Sequence, residues 1–141
     1  MSVKFQTPQG LALDAQVDTL DIIDPMGNPS LVIEKNTGFS INLVWSLSGS
    51  AVPFLGGTWT VRALVESIGG GFEGQIGPTQ VIPVNGSTVY NATVVVPPGP
   101  FSAPPRDTVY KLVMLISHTG VNGVKTIMAG FGEGPFFEVE G

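Results

Sequence analysis

Three stretches of the chain alternate between large apolar and small or polar side chains with a period of two. In 39–48, FSINLVWSLS, Phe39, Ile41, Leu43, Trp45 and Leu47 occupy one set of positions, and Val44 is the only large apolar residue in the other. In 59–66, WTVRALVE, Trp59, Val61, Ala63 and Val65 fall together, with Leu64 on the opposite side. In 110–116, YKLVMLI, Tyr110, Leu112, Met114 and Ile116 share a side, while Val113 and Leu115 occupy the other. Successive strand side chains point to opposite faces, so each stretch predicts a strand with one buried face. The third is apolar on both faces, which predicts cover on both sides.

Weaker runs predict further strands at 17–23, 31–34, 80–84, 88–96, 125–131 and 136–139. Clusters rich in Gly, Pro and Asn separate them, among them DPMGNP at 24–29, NG at 85–86, PPGPFSAPP at 97–105 and GVNG at 120–123. Asn85-Gly86 and Asn122-Gly123 predict type I′ turns, which require positive φ at both central residues. No window has the 3.6-residue period of an amphipathic helix. Many short strands between turn signals predict an all-β, two-layer antiparallel β-sandwich. With neither repeat nor linker, the chain reads as one sandwich domain over 17–141, preceded by an extended segment at 1–16.

From 17 to 139 the strand order resembles an immunoglobulin-like or fibronectin type III-like sandwich with Greek-key connections. The resemblance implies that 39–48 is strand B, 59–66 strand C, 109–117 strand F and 125–139 strand G. It makes Trp59 the core tryptophan. It places Tyr110, within DTVYKL, at the tyrosine corner, where its hydroxyl would bond back to nearby backbone. Leu43 and Leu112 stand where antibody domains carry their paired cysteines.

Composition narrows the function classes. The chain has 141 residues, enough to fold on an apolar core alone, and 43% of them are hydrophobic. Only 12% are charged, about half the usual share near 25%, which leaves an unusually neutral surface. The net charge is −5, and the six basic residues are scattered, so there is no clustered positive field for nucleic acid or an anionic membrane. The chain contains no cysteine, which removes disulfides and thiolate chemistry. No run is long and apolar enough to span a membrane as a helix, and residues 1–18 lack the pattern of a signal peptide. The expected location is therefore the cytoplasm, or outside the cell if a leader has been removed.

Candidate chemistry is sparse. Gly69, Gly71 and Gly74 have the spacing G-x-G-x-x-G. A dinucleotide loop needs a helix after it, whereas Pro78 and the β-branched residues that follow predict a strand, so the glycines read as a hairpin. Asp14, Asp18, Asp21 and Asp24 invite a calcium reading, with Asp21 and Asp24 as the metal candidates. Their spacing fits no EF-hand loop. The favoured reading is an edge strand protected by charge, with Asp18 and Asp21 on opposite faces. His118, the single histidine, reads as a solvated loop residue. No G-x-S-x-G elbow or distinguishable carboxylate pair supports catalysis, and no cofactor is implied. Asn85-Gly86-Ser87 and Asn91-Ala92-Thr93 match the glycosylation sequon.

The expectation that remains is contact. Apolar residues on outer faces (Val44, Leu64, Val113, Leu115) and phenylalanines in Gly- and Pro-rich segments (Phe101, Phe131, Phe136, Phe137) form the expected interaction surface. The chain is expected to be a non-catalytic structural or interaction module, self-associating or docking on another protein. The alternative is a carbohydrate- or calcium-dependent binding module.

Overall fold

A computed structural model describes residues 2–7, 12–34, 36–68, 72–101 and 108–140. Every alternating stretch is a strand. The nine described strands are β1 (Ser2–Gln6), β2 (Asp14–Ile23), β3 (Val32–Glu34), β4 (Phe39–Ser48), β5 (Thr58–Ser67), β6 (Gly74–Pro83), β7 (Val89–Val96), β8 (Thr108–Thr119) and β9 (Lys125–Glu140). Short 3₁₀ turns occupy Val52–Phe54 and Gly99–Phe101. The protein is an all-β, two-layer sandwich with immunoglobulin-like Greek-key topology.

The longer sheet runs β1-β9-β8-β5-β6, and the shorter runs β2-β4-β7. One edge of β9 is shared. β1 pairs with it antiparallel, Ser2 opposite Glu133, and β3 pairs parallel farther along, Val32 opposite Glu138. The segment 1–16 therefore holds β1 and the start of β2. β2 is an edge strand, as its aspartates suggested, but a bulge between Val17 and Thr19 inserts one extra residue. The insertion resets the alternation, so Asp18 and Asp21 both lie on the outer side rather than on opposite faces.

Alternation explains the core. The inward residues of β4, namely Phe39, Ile41, Leu43, Trp45 and Leu47, are at most 4% exposed, and those of β5 (Trp59, Val61, Ala63, Val65) at most 2%. Aromatic rings cluster at the two ends. At one end Trp45 stacks on Tyr90 at 5.9 Å and meets Trp59 edge-on at 6.0 Å. At the other, Tyr110 stacks on Phe137 at 5.6 Å, with Phe101 edge-on to Tyr110 at 4.8 Å.

Three local expectations are corrected. Neither predicted type I′ turn forms, because Gly86 (φ +79°) and Gly123 (φ +80°) have positive φ but their asparagines do not. The asparagines serve as acceptors instead: Asn85 Oδ1 takes the Ser87 N–H at 3.1 Å, and Asn122 Oδ1 takes the Val124 N–H at 3.1 Å. The tyrosine that bonds back to upstream backbone is Tyr90, whose Oη accepts the Asn85 N–H at 3.2 Å. Tyr110 Oη is buried with no partner among the described residues. The segment around the glycine spacing joins antiparallel β5 and β6, with a strand where a nucleotide loop would need a helix. Gly69 and Gly71 themselves lie outside the described residues.

Candidate functional site

The sheets divide the eight expected contact residues three ways. Leu64 on β5, Val113 and Leu115 on β8, and Phe131 and Phe136 on β9 all occupy outward positions of the longer sheet. Register makes them neighbours: Leu64 is opposite Val113, Leu115 is opposite Phe131, and Phe136 is opposite Lys111. Leu64, Val113, Leu115 and Phe131 thus form one apolar stripe across three strands, with Phe136 on the same face beyond Lys111 and Glu133. Phe136 is 54% exposed and Phe131 37%, whereas Val113, at the middle of the face, is only 7% exposed among its neighbours.

Val44 belongs elsewhere. It projects from the outer face of the shorter sheet, between Thr19 on β2 and Asn91 on β7, on a face that also carries Asp18 and Asp21.

Phe101 and Phe137 are core residues, 2% and 1% exposed, and drop out of the surface. The causes are local. The 3₁₀ turn at Gly99–Phe101 folds the Phe101 ring back against Phe39, at 5.7 Å, and Tyr110. In β9, Glu133 pairs with Val113 and Phe136 with Lys111, so three steps on β9 match two on β8. The extra residue at Gly134–Pro135 turns Phe136 outward and Phe137 inward.

Charged groups border the stripe. Lys111 Nζ lies 3.2 Å from Glu133 Oε1, an ion pair across β8 and β9 on the outer face. Arg62 and Glu66 stand on β5 on either side of Leu64, spaced as residues of one face. Sequence reasoning passed over Arg62 and Lys111 as scattered basic residues and found no distinguishing context for Glu66 and Glu133, although their period-two spacing from Leu64, Val113 and Phe131 places all four on the same face.

The remaining candidates are absorbed by structure. His118 is 2% exposed rather than solvated, because it ends β8 on the inward side beneath the 49–57 connection. Its Nε2 donates to the Gly56 carbonyl at 2.6 Å, and its Nδ1 lies 2.9 Å from Thr126 Oγ1. Its ring packs edge-on against Trp59 at 5.2 Å. Both ring nitrogens are thus used to tie three segments together. Asp24 Oδ1 accepts the Met26 and Asn28 N–H groups, each at 2.9 Å, and so closes its own turn. Asp21 sits opposite Asn42 on the outer face of the shorter sheet. No group of three or more potential metal ligands occurs among the described residues. An open groove of about 380 Å³ runs beside Asp24, Met26, Val32 and Glu34. Trp45 and Trp59, at 0%, and Tyr90, at 5%, are too buried to stack on a sugar. The sequon residues Asn91 and Thr93 lie exposed on β7. No described helix is long and apolar enough to cross a membrane.

No protein-family model matches the chain, and no curated protein matches it in sequence. Among solved structures, it is similar to a β-glucosidase from Listeria innocua in complex with glucose, with TM-score 0.52 and 6% identity over 92% of this chain. The gluconolactone complex of that enzyme gives TM-score 0.52 and 7% identity. The chain corresponds to only 16% of the length of the β-glucosidase. The CARDB domain of a Pyrococcus furiosus protein, solved with di-metal ions, aligns over 92% of this chain and 88% of its own, with TM-score 0.46 and 11% identity. At such identities the β-glucosidase likeness speaks to the fold alone.

Proposed function

We propose that the protein is a non-catalytic contact module that docks through the outer face of β5, β8 and β9. The observation that carries this reading is the stripe of Leu64, Val113, Leu115 and Phe131, drawn from three strands onto one face with Phe136. On a chain with 12% charged residues, water covers such a face poorly, and association removes apolar area from water. A catalytic role has little support: the one histidine has both ring nitrogens engaged within the fold. The carbohydrate-binding alternative lacks an exposed aromatic platform among its tryptophans.

A photo-crosslinking amino acid at position 115 or 136, compared with one at position 42 on the other sheet, tests the reading in cells that make the protein. The expected result is protein adducts from 115 and 136 and none from 42. Absence of adducts from both outer-face positions would refute it.

A further inference from the structure

The charges around the stripe carry information that the apolar residues do not. With the β8 numbering as a ruler, Leu64, Val113 and Glu133 share the row of residue 113. Arg62 and Phe131 lie in the row of Leu115, one step above, and Glu66 and Phe136 lie in the row of Lys111, one step below. About its middle row the face inverts charge on β5 and repeats a ring on β9, while β8 carries Leu115 above and Lys111 below. On β5 the cation Arg62 is above and the anion Glu66 below. On β9 one phenylalanine is above and another below.

We infer that the occupant of this face is a second copy of the chain, packed face to face about a two-fold axis that lies along the row of Val113, with strands antiparallel. This inference rests on the contact-module reading. The operation sends each strand onto its own copy and exchanges the row above for the row below. Arg62 then meets the partner copy's Glu66, and its Glu66 receives the partner copy's Arg62. Phe131 meets Phe136, and Leu64 and Val113 meet their own images. Glu133 approaches its image with a Lys111 on either side, so that two anions stand among two cations. A two-fold axis along β8 is the other face-to-face solution. It would set Arg62 over Phe131 and Glu66 over Phe136, leaving both charges against rings instead of against each other. Charge complementarity selects the first operator, and the contact is isologous, as closed dimers require.

The size of the face sets the strength. Three strands about 4.8 Å apart and nine residues at about 3.4 Å give roughly 400–450 Å² per copy, or about 800–900 Å² in total. That lies at the small end of specific interfaces, where association is weak and reversible. Facing sheets cross at about 30°, so rows near the axis match best, and Arg62 and Glu66 are each a single row from it.

Sedimentation equilibrium up to about 300 µM tests the inference, with folding of each variant checked by circular dichroism. Wild type should show a reversible monomer–dimer equilibrium. Arg62→Glu and Glu66→Arg should each raise the dimer Kd by about tenfold at low salt, and by less in 1 M NaCl. The double variant R62E/E66R, in which each copy presents the exchanged pair, should return to within about threefold of wild type. Leu64→Asp should abolish the dimer. A wild type that stays monomeric at 300 µM overturns the second-copy inference, as does a double variant no tighter than the singles. A monomeric wild type whose position-115 crosslinker captures a different protein overturns this inference alone. A chain that forms no adduct at all removes the contact-module reading beneath it.

Discussion

Replacing Phe101 with alanine separates the two roles this residue has been given. As a surface anchor in a proline-rich connection it would contribute almost nothing to folding. In the structure it is 2% exposed and lies within ring-packing distance of Tyr110 (4.8 Å), Phe39 (5.7 Å), Phe137 (6.1 Å) and Phe72 (6.4 Å). Four rings surround it on a short turn, and they cannot all collapse into the space it leaves. Phe→Ala in such a core costs about 3–5 kcal/mol, from lost transfer energy plus the residual cavity. For a domain of this size that corresponds to a fall in Tm of about 10–20 °C. Phe54, 87% exposed, is the matched control, and Phe54→Ala should stay within about 0.5 kcal/mol. Urea unfolding followed by tryptophan fluorescence gives both values, since Trp45 and Trp59 are buried. A loss below about 1 kcal/mol for Phe101→Ala would refute the packing argument and return the residue to the surface.

Three other substitutions test specific contacts. Tyr90→Phe should cost about 1 kcal/mol by removing the acceptor for the Asn85 N–H, whereas Tyr110→Phe should be neutral or stabilising because its buried hydroxyl has no partner among the described residues; chemical denaturation of both variants checks this. At Gly57 (φ +93°) an added Cβ would lie 1.9 Å from the Thr119 carbonyl oxygen, while at Gly86 (φ +79°) it would meet nothing within 4 Å. Gly86→Ala should therefore lose only about 1 kcal/mol of backbone strain, and Gly57→Ala several times more, as read from paired thermal melts. His118→Leu should cost about 1–3 kcal/mol, since it strands the Gly56 carbonyl and removes the ring nitrogen beside Thr126 Oγ1, and faster amide exchange in 49–57 and 120–126 should accompany the loss.

Period two made the sandwich legible. Phe39–Ser48 and Thr58–Ser67 announce their inner faces without ambiguity, and the outward Leu64, Val113 and Leu115 were identifiable from the same alternation. That rule fails wherever an extra residue is inserted. The bulge at Asp18 and the one at Gly134–Pro135 each invert the alternation beyond them, so Asp18 and Asp21 share a face that their spacing denied them, and Phe137 turns inward from a segment read as all surface. Long-range partners were equally hidden. His118 reads as a loop residue until the Gly56 carbonyl, 62 residues away, is seen to accept its proton. Arg62 and Glu66 look like scattered charge until the register aligns them with Phe131 and Phe136.

The central claim is that this outer face is a contact surface in the working protein, and hydroxyl-radical footprinting compares its exposure directly in two settings. In dilute purified protein Phe136, 54% exposed, should oxidise readily, as should Phe54 at 87%. In intact cells the account predicts strong protection of Phe136, Phe131 and Leu115 with Phe54 still reactive. Equal reactivity of Phe136 in both settings would contradict it.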